Sequence, residues 1–407
     1  MHFDRKNVNL SIVSLLFIPV CVAMSTSIAF YDFSILEPYG DSFSSWGYLE
    51  SACTSSEMRF VLKPITRILC NLPPALSMPI FAVVVMVPSA LFCIVWVRGY
   101  RIFDARFGFH DSLILGVCGL AMIFCFLSIK ENFSVLLHMT LVFALLTNTP
   151  MRLLVPLAFI VYGLVHMRSG AASLMIVFTN LWLLCHSLMH FVFGDKSLAN
   201  RWRRKVFAST ATLMVAMVVI AGTNHHKLLL PQIVGKGIVE AVIPGQSENR
   251  EKLGEIVRHY KQSGEGASWN DEAYKANQNF LGVVDTEKNF ITVGVSVLRI
   301  SSERFLWPFN KGVLASVWSL ANCVLFGLAI CRLITFGRRS WIYSLSVAGL
   351  ALGYSVIILV VGFVIPNDNT LLRYVLGVQL VVLVLMRYVE QEWREHFGGK
   401  SLERDLA

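Results

Sequence analysis

The chain has 407 residues, of which 55% are hydrophobic and only 15% charged, with a formal net charge of +9 and a mean hydropathy of +0.62. A soluble protein of this size would carry about 25% charged residues, so a soluble fold is excluded and an all-α, polytopic integral membrane protein is expected. The positive charge does not signal nucleic acid: the basic residues gather in short loops, as the positive-inside bias predicts, and a basic face interleaved with aromatics is missing.

Apolar stretches near the roughly 20 residues needed to cross a bilayer suggest ten spans. They run over about 9–30, 78–97, 112–129, 133–149, 151–168, 170–193, 205–224, 312–335, 341–365 and 370–389. The fourth and fifth are short and separated by Asn148-Thr149-Pro150, a pattern that also fits a broken or re-entrant pair. The loops "RGYRIFDAR" (98–106), "DKSLANRWRRK" (195–205) and "GRRS" (337–340) are short and basic. Placing all three in the cytoplasm puts both termini there too. The chain then divides into a membrane region of seven spans (1–224), a large outer loop (225–311) and a membrane region of three spans with a cytoplasmic tail (312–407).

Two extended segments fall outside the membrane, 31–77 and 225–311. Ser27-Ile28-Ala29 offers a small-x-small cleavage pattern, but the apolar stretch before it is longer than a usual signal core. In the second loop, Leu253, Ile256, Val257 and Tyr260 recur at helical spacing. "SGEGAS" breaks that helix, and Ser268 with Asp271 suits the start of another over 271–280. "FITVGVSVLRI" (290–300) reads equally as a strand or an interfacial segment. Of nine cysteines, only Cys53 and Cys70 lie outside the spans; in an oxidising compartment they can pair. No Cys/His spacing suggests zinc, so no metal is expected, and His225-His226 is a poor chelate.

Ionisable residues at or inside a bilayer are costly and point to function. Asp32, Glu37 and Asp41 follow the first span as candidate general bases. Arg59, Lys63 and Arg67 are four residues apart and on a helix share one face. That face either grips a phosphate or is a solvated amphipathic surface with snorkelling cations. Arg299 and Arg304 flank a polar turn before the eighth span, beside an interfacial Trp307 and Phe309. They anchor that span or bind an anion. Arg373-Tyr374 opens the last span just after the outer turn Asn367-Asp368-Asn369. An arginine at that depth needs a partner, and its rigid fork suits a phosphate. Arg152 opens one span, and His186 and His190 lie one turn apart near the end of the next, on the side of the basic loops. Packing between helices would also account for the two histidines.

The layout resembles the integral-membrane enzymes that use polyprenyl-linked sugars, namely the GT-C glycosyltransferases and the related O-antigen and exopolysaccharide polymerases. "NTPMR" (148–152) followed by His186 is similar to the N-x-x-R … H run of the exopolysaccharide polymerases. "RFVLKPITRIL" and "LLRYVLGVQL" are similar to the first-loop region and the late Arg-Tyr motif of the GT-C enzymes. The first loop lacks the tandem acidic pair of many GT-C enzymes, which leaves the base open among Asp32, Glu37 and Asp41.

The resemblance implies a bacterial cytoplasmic (inner) membrane enzyme of O-antigen, capsule or exopolysaccharide synthesis, working on its periplasmic face. It implies an undecaprenyl-(di)phosphate-linked glycan as donor and no cofactor, with membrane lipids, a chain-length regulator and a flippase as partners. Repeat-unit polymerisation is favoured over single-sugar transfer. A lipid-linked glycan flippase or transporter is the rival from another class. No internal repeat is visible, and the candidate residues concentrate at the outer surface rather than the midplane, which favours an enzyme.

Overall fold

A computed structural model describes residues 63–73, 76–77, 80, 87, 91–92, 94–96, 98–100, 102–103, 109–127, 129–147, 158–163, 169–194, 198–222, 305–307, 313–364 and 368–404. All regular structure in these residues is helical. In chain order the helices are α1 (Lys63–Cys70), α2 (Phe109–Leu127), α3 (Ile129–Leu146), α4 (Ser169–Phe193), α5 (Ala199–Gly222), α6 (Val313–Gly337), α7 (Trp341–Val364) and α8 (Asp368–Arg404).

Helix α8 is the axis of the bundle and packs against α2, α3, α4, α6 and α7. From Val375 to Glu390 every residue is buried. A helix apolar on all sides must be enclosed on all sides, and "VLGVQLVVLVL" (375–385) meets that demand. The surrounding helices turn their other faces outward. Leu181, Leu188 and Val192 of α4, Met214 and Val218 of α5, Ile330 and Ile334 of α6, and Leu345, Leu352 and Val356 of α7 are exposed. An outer surface of that kind belongs in hydrocarbon, where backbone groups are satisfied within each helix.

Three helical stretches among the described residues are long and apolar enough to cross a membrane: Met175–Phe193, Ser316–Gly337 and Trp341–Leu359. The protein is therefore an all-helical membrane protein over its described part, as its composition demands. The expected span at 9–30, most of those at 78–97 and 151–168, most of the loop 31–77 and all but 305–307 of the loop 225–311 lie outside the described residues; 158–163, within the expected 151–168 span, are helical.

Short connections set neighbours antiparallel. Helix α4 ends at Gly194, whose N–H donates to His190 O at 3.0 Å; a Cβ there would sit 2.3 Å from that oxygen. Helix α6 turns into α7 through Arg338-Arg339-Ser340, where the Arg339 and Ser340 N–H groups both donate to Phe336 O. Ser344 Oγ then reaches back to Leu333 O at 3.1 Å.

Boundaries differ from the sequence reading in two instructive places. The basic stretch 199–205 is the first part of α5, not loop, because Trp202 and Lys205 are buried against the bundle. The expected tail after 389 is helical to Arg404, because Glu390 and Glu392 find partners inside the bundle.

Helices α4 and α7 touch closely at Gly353, where an added Cβ would lie 1.9 Å from Phe178 Cε2. Small residues allow such approach in membranes. Gly353→Val should lower the stability of the detergent-purified protein by about 1–3 kcal/mol through overpacking, read by thermal unfolding. Gly327→Ala, at a position with nothing within 4 Å of the new Cβ, should leave the melting temperature unchanged or raise it.

Candidate functional site

The densest chemistry among the described residues lies at one end of α8, where its apolar run gives way to "RYVEQEWRE" (387–395). Helical spacing sorts these side chains into two groups. Arg387, Glu390 and Arg394 face one way, and Tyr388 and Glu392 another.

In the first group, Arg387 Nε donates to Asp111 Oδ1 of α2 at 2.9 Å, and Tyr100 Oη donates to the same oxygen. The guanidinium carbon of Arg387 sits 5.6 Å from the centre of the Phe103 ring, within cation–π range. Beside it, Glu390 is gripped by Arg332 of α6 at 2.7 Å, by Arg394 on its own helix and by His110 Nδ1 of α2 at 3.2 Å. The other ring nitrogen, His110 Nε2, is 3.0 Å from Leu383 O. A carbonyl only accepts, so Nε2 carries a proton.

In the second group, Glu392 divides its two oxygens. Oε1 takes Arg201 Nη2 of α5 at 3.0 Å and the Tyr388 hydroxyl, with Lys205 Nζ at 3.8 Å. Lys205 also donates to Tyr388 Oη and lies 4.3 Å from the Tyr388 ring centre. Oε2 faces His186 Nε2 of α4 at 3.1 Å, and His186 Nδ1 is 2.7 Å from Ser346 Oγ of α7. Stacking fixes both histidine rings: His186 against Trp182 at 5.0 Å, and His190 against Trp202 at 4.5 Å. Farther along α8, Asn322 Oδ1 accepts from Tyr354 Oη at 2.5 Å and from Gln379 Nε2 at 2.9 Å.

Glu390 and Glu392 lie past the apolar run that ends at Val389. Burial would push both carboxyls up. Hydrogen bonds from His110 and His186, with charges from Arg332 and Arg387 on one and Lys205 and Arg201 on the other, instead hold each down to about 2. Both groups are thus acceptors and charge anchors near neutral pH, not proton donors.

Helices α2, α5 and α7 begin near this end of the bundle and α4 and α6 end near it, as the contacts of Asp111, Arg201, Ser346, His186 and Arg332 with α8 or its partners place them. Arg373 and Tyr374 are in the second turn of α8, near its opposite end. At about 1.5 Å rise per residue, Arg373 stands roughly 28 Å along the helix from Glu392. The late arginine and His186 therefore cannot contact one phosphate. Of the other sequence candidates, Lys63 and Arg67 share α1, Arg67 is exposed, and its carbonyl accepts from Asn71 at 2.9 Å. Cys70 is disulfide-bonded, but Cys53 lies outside the described residues. So do Asp32, Glu37, Asp41, Arg59, Arg152, His225, His226, Arg299 and Arg304.

Sequence reasoning singled out His186 but missed its setting. Asp111, Arg387, Glu390 and Glu392 were legible as charges abutting apolar runs, with opposite signs three apart at Arg387 and Glu390. Arg394 is a local partner of Glu390, but His110–Glu390, Asp111–Arg387, His186–Glu392 and Arg201–Glu392 join residues 280, 276, 206 and 191 apart in the chain, and no local pattern joins those. No protein-family model, curated protein or solved structure matches the chain.

Removing one member of a buried pair typically costs about 3–5 kcal/mol. Arg387→Met should destabilise the protein on that scale by taking from Asp111 the cation that faces it here, and Asp111→Asn combined with Arg387→Met should recover much of the loss in thermal unfolding. The depressed carboxyls also set a pH dependence. A group whose folded value lies below its unfolded value stabilises above the unfolded value and loses that contribution as pH falls. Melting temperature should drop as pH falls from about 4.5 toward 2, and less steeply in Glu390→Gln.

Proposed function

We propose that the protein transfers or polymerises glycan units from an undecaprenyl-(di)phosphate-linked donor, as a glycosyltransferase of surface polysaccharide synthesis in the bacterial cytoplasmic membrane. Ten spans, two periplasmic loops and cytoplasmic termini belong to this reading. An acceptor hydroxyl attacks the anomeric carbon, the lipid phosphate leaves, and one of Asp32, Glu37 and Asp41 takes the acceptor proton. Arg59, Lys63, Arg67, Arg299, Arg304 and Arg373 are the candidates to receive the departing phosphate. Preorganised donors of that kind are often the largest catalytic contribution.

One observation carries the reading. Helix α8 runs unbroken from Asp368 to Arg404, has Arg373-Tyr374 in its second turn, and is pinned at its far end by cations on Glu390 and Glu392. A phosphate-binding arginine works only if it is held in place, and an anchored rod supplies that. His186 acts here as a positioning residue that ties α4 to α8 through Glu392. The motif pairing it with Arg152 is the part of the resemblance that reaches the buried cluster.

A flippase or transporter of lipid-linked glycans draws support from the same cluster, because ionisable residues between membrane helices also mark transport paths. The mass profile of lipid-linked and surface glycans in a deletion strain separates the readings. One complete repeat unit on undecaprenyl diphosphate, accessible outside with long chains missing, is the polymerase result. Long chains lacking one side-branch sugar indicate a single-sugar transferase, and complete units trapped on the inner leaflet indicate a flippase. In complementation, Arg373→Ala and Arg373→Lys should both abolish glycan output at normal membrane levels of protein; full output from both reduces Arg373 to an anchor.

A further inference from the structure

His186, His190 and Glu392 each bring one ligand atom into a group whose atoms all lie within 4.8 Å of one another, and all three residues are buried. The two histidines are one turn apart on α4, and the carboxylate comes from α8. Two imidazoles and a carboxylate form a donor set that takes zinc and related first-row divalent ions.

His186 Nε2 faces Glu392 Oε2 at 3.1 Å, and its Nδ1 lies 2.7 Å from Ser346 Oγ, which is itself 2.8 Å from Ile342 O. A lone pair on Nε2 and a carboxylate oxygen at that distance need a positive centre between them. The centre is either a proton carried by the imidazole or a metal ion.

His190 decides between them. It is 5% exposed, and its Nε2 is buried with no hydrogen-bond partner among the described residues. A buried nitrogen in that condition costs stability unless something uses it. A proton shared by His186 and Glu392 leaves it idle, whereas a metal ion recruits the residue as third ligand. His110 and Glu390 provide the contrast: they pair at 3.2 Å, yet no third ligand of this kind joins them among the described residues.

We propose that His186, His190 and Glu392 bind a divalent first-row transition ion, zinc foremost, clasping α4 to α8. Ligand bonds of about 2.0–2.1 Å at tetrahedral angles put donor atoms roughly 3.3 Å apart, close to the His186–Glu392 separation. The other pairs would draw in by up to roughly 1.5 Å. Ser346 holds His186 in the ligating tautomer, the usual role of a residue behind a metal-bound imidazole. Arg201 and Tyr388 occupy Glu392 Oε1 and leave Oε2 for the ion. This inference stands apart from the glycan reading, because its test measures metal and not glycan.

The test uses the full chain purified in detergent. Metal content is measured by mass spectrometry after equilibration with zinc and desalting, and cobalt(II) is substituted for its ligand-field spectrum. The expected result is about one equivalent of bound zinc, a cobalt spectrum of low-coordinate N/O type, and a rise in melting temperature with zinc by mass action. His190→Gln and Glu392→Gln should lose all three. Ser346→Ala should weaken zinc binding about 10–100-fold. Should those variants fail to fold, the wild-type measurements decide alone. No zinc uptake, no cobalt spectrum and no thermal shift, or equal zinc uptake by wild type and folded His190→Gln, would overturn the proposal and leave a hydrogen-bonded histidine–carboxylate pair.

Discussion

A carboxylate inside a membrane protein must find positive partners, and α8 carries two, Glu390 and Glu392, two residues apart and facing different ways. Each is gripped by groups from more than one helix: Arg332 and His110 on the first, Arg201 and His186 on the second. Helices α2, α4, α5 and α6 are thereby tied to one point on α8, and α7 joins through Ser346. Around that knot most of the remaining packing is apolar and non-directional.

The knot supplies what apolar packing does not. The run 380–385 is Leu, Val and Leu again with scarcely a change of shape. Sliding such a helix by one residue costs little in hydrocarbon contacts, but it would move Glu390, Glu392 and Arg387 away from every partner at once. Buried ionic groups have their best-attested use in fixing register. The hydrogen bonds of Asn322 to Tyr354 and Gln379 repeat the device farther along the same helix. With its register fixed at both places, the depth of the Arg373 backbone along α8 is set as well.

Two kinds of polar chemistry are thus set apart along one helix. At one end, charges are matched and enclosed, and the histidines lie between stacked indoles. At the other stands the arginine whose residue type suits a phosphate. The proposed reaction belongs to that second end and to the loops joined to it. The proposed ion belongs to the first, where it would strengthen the link between α4 and α8.

Much of the fold was legible in the residues alone. Apolar runs of membrane length with basic loops between them dictate helices, since a backbone in hydrocarbon must satisfy its own hydrogen bonds; Ser316–Gly337 and Trp341–Leu359 follow directly. His186 was legible as a candidate because polar groups in such runs are costly. The rest required tertiary structure. That "ANRWRRK" is helical, that the chain after Val389 stays in the bundle, and that His186 meets a carboxylate 206 residues away all depend on charges cancelling across helices. A sequence shows each charge and its local spacing, so it determines which residues must be compensated. Only the assembled bundle decides by what, because electrostatic pairing acts through space between segments whose order in the chain does not encode their distance.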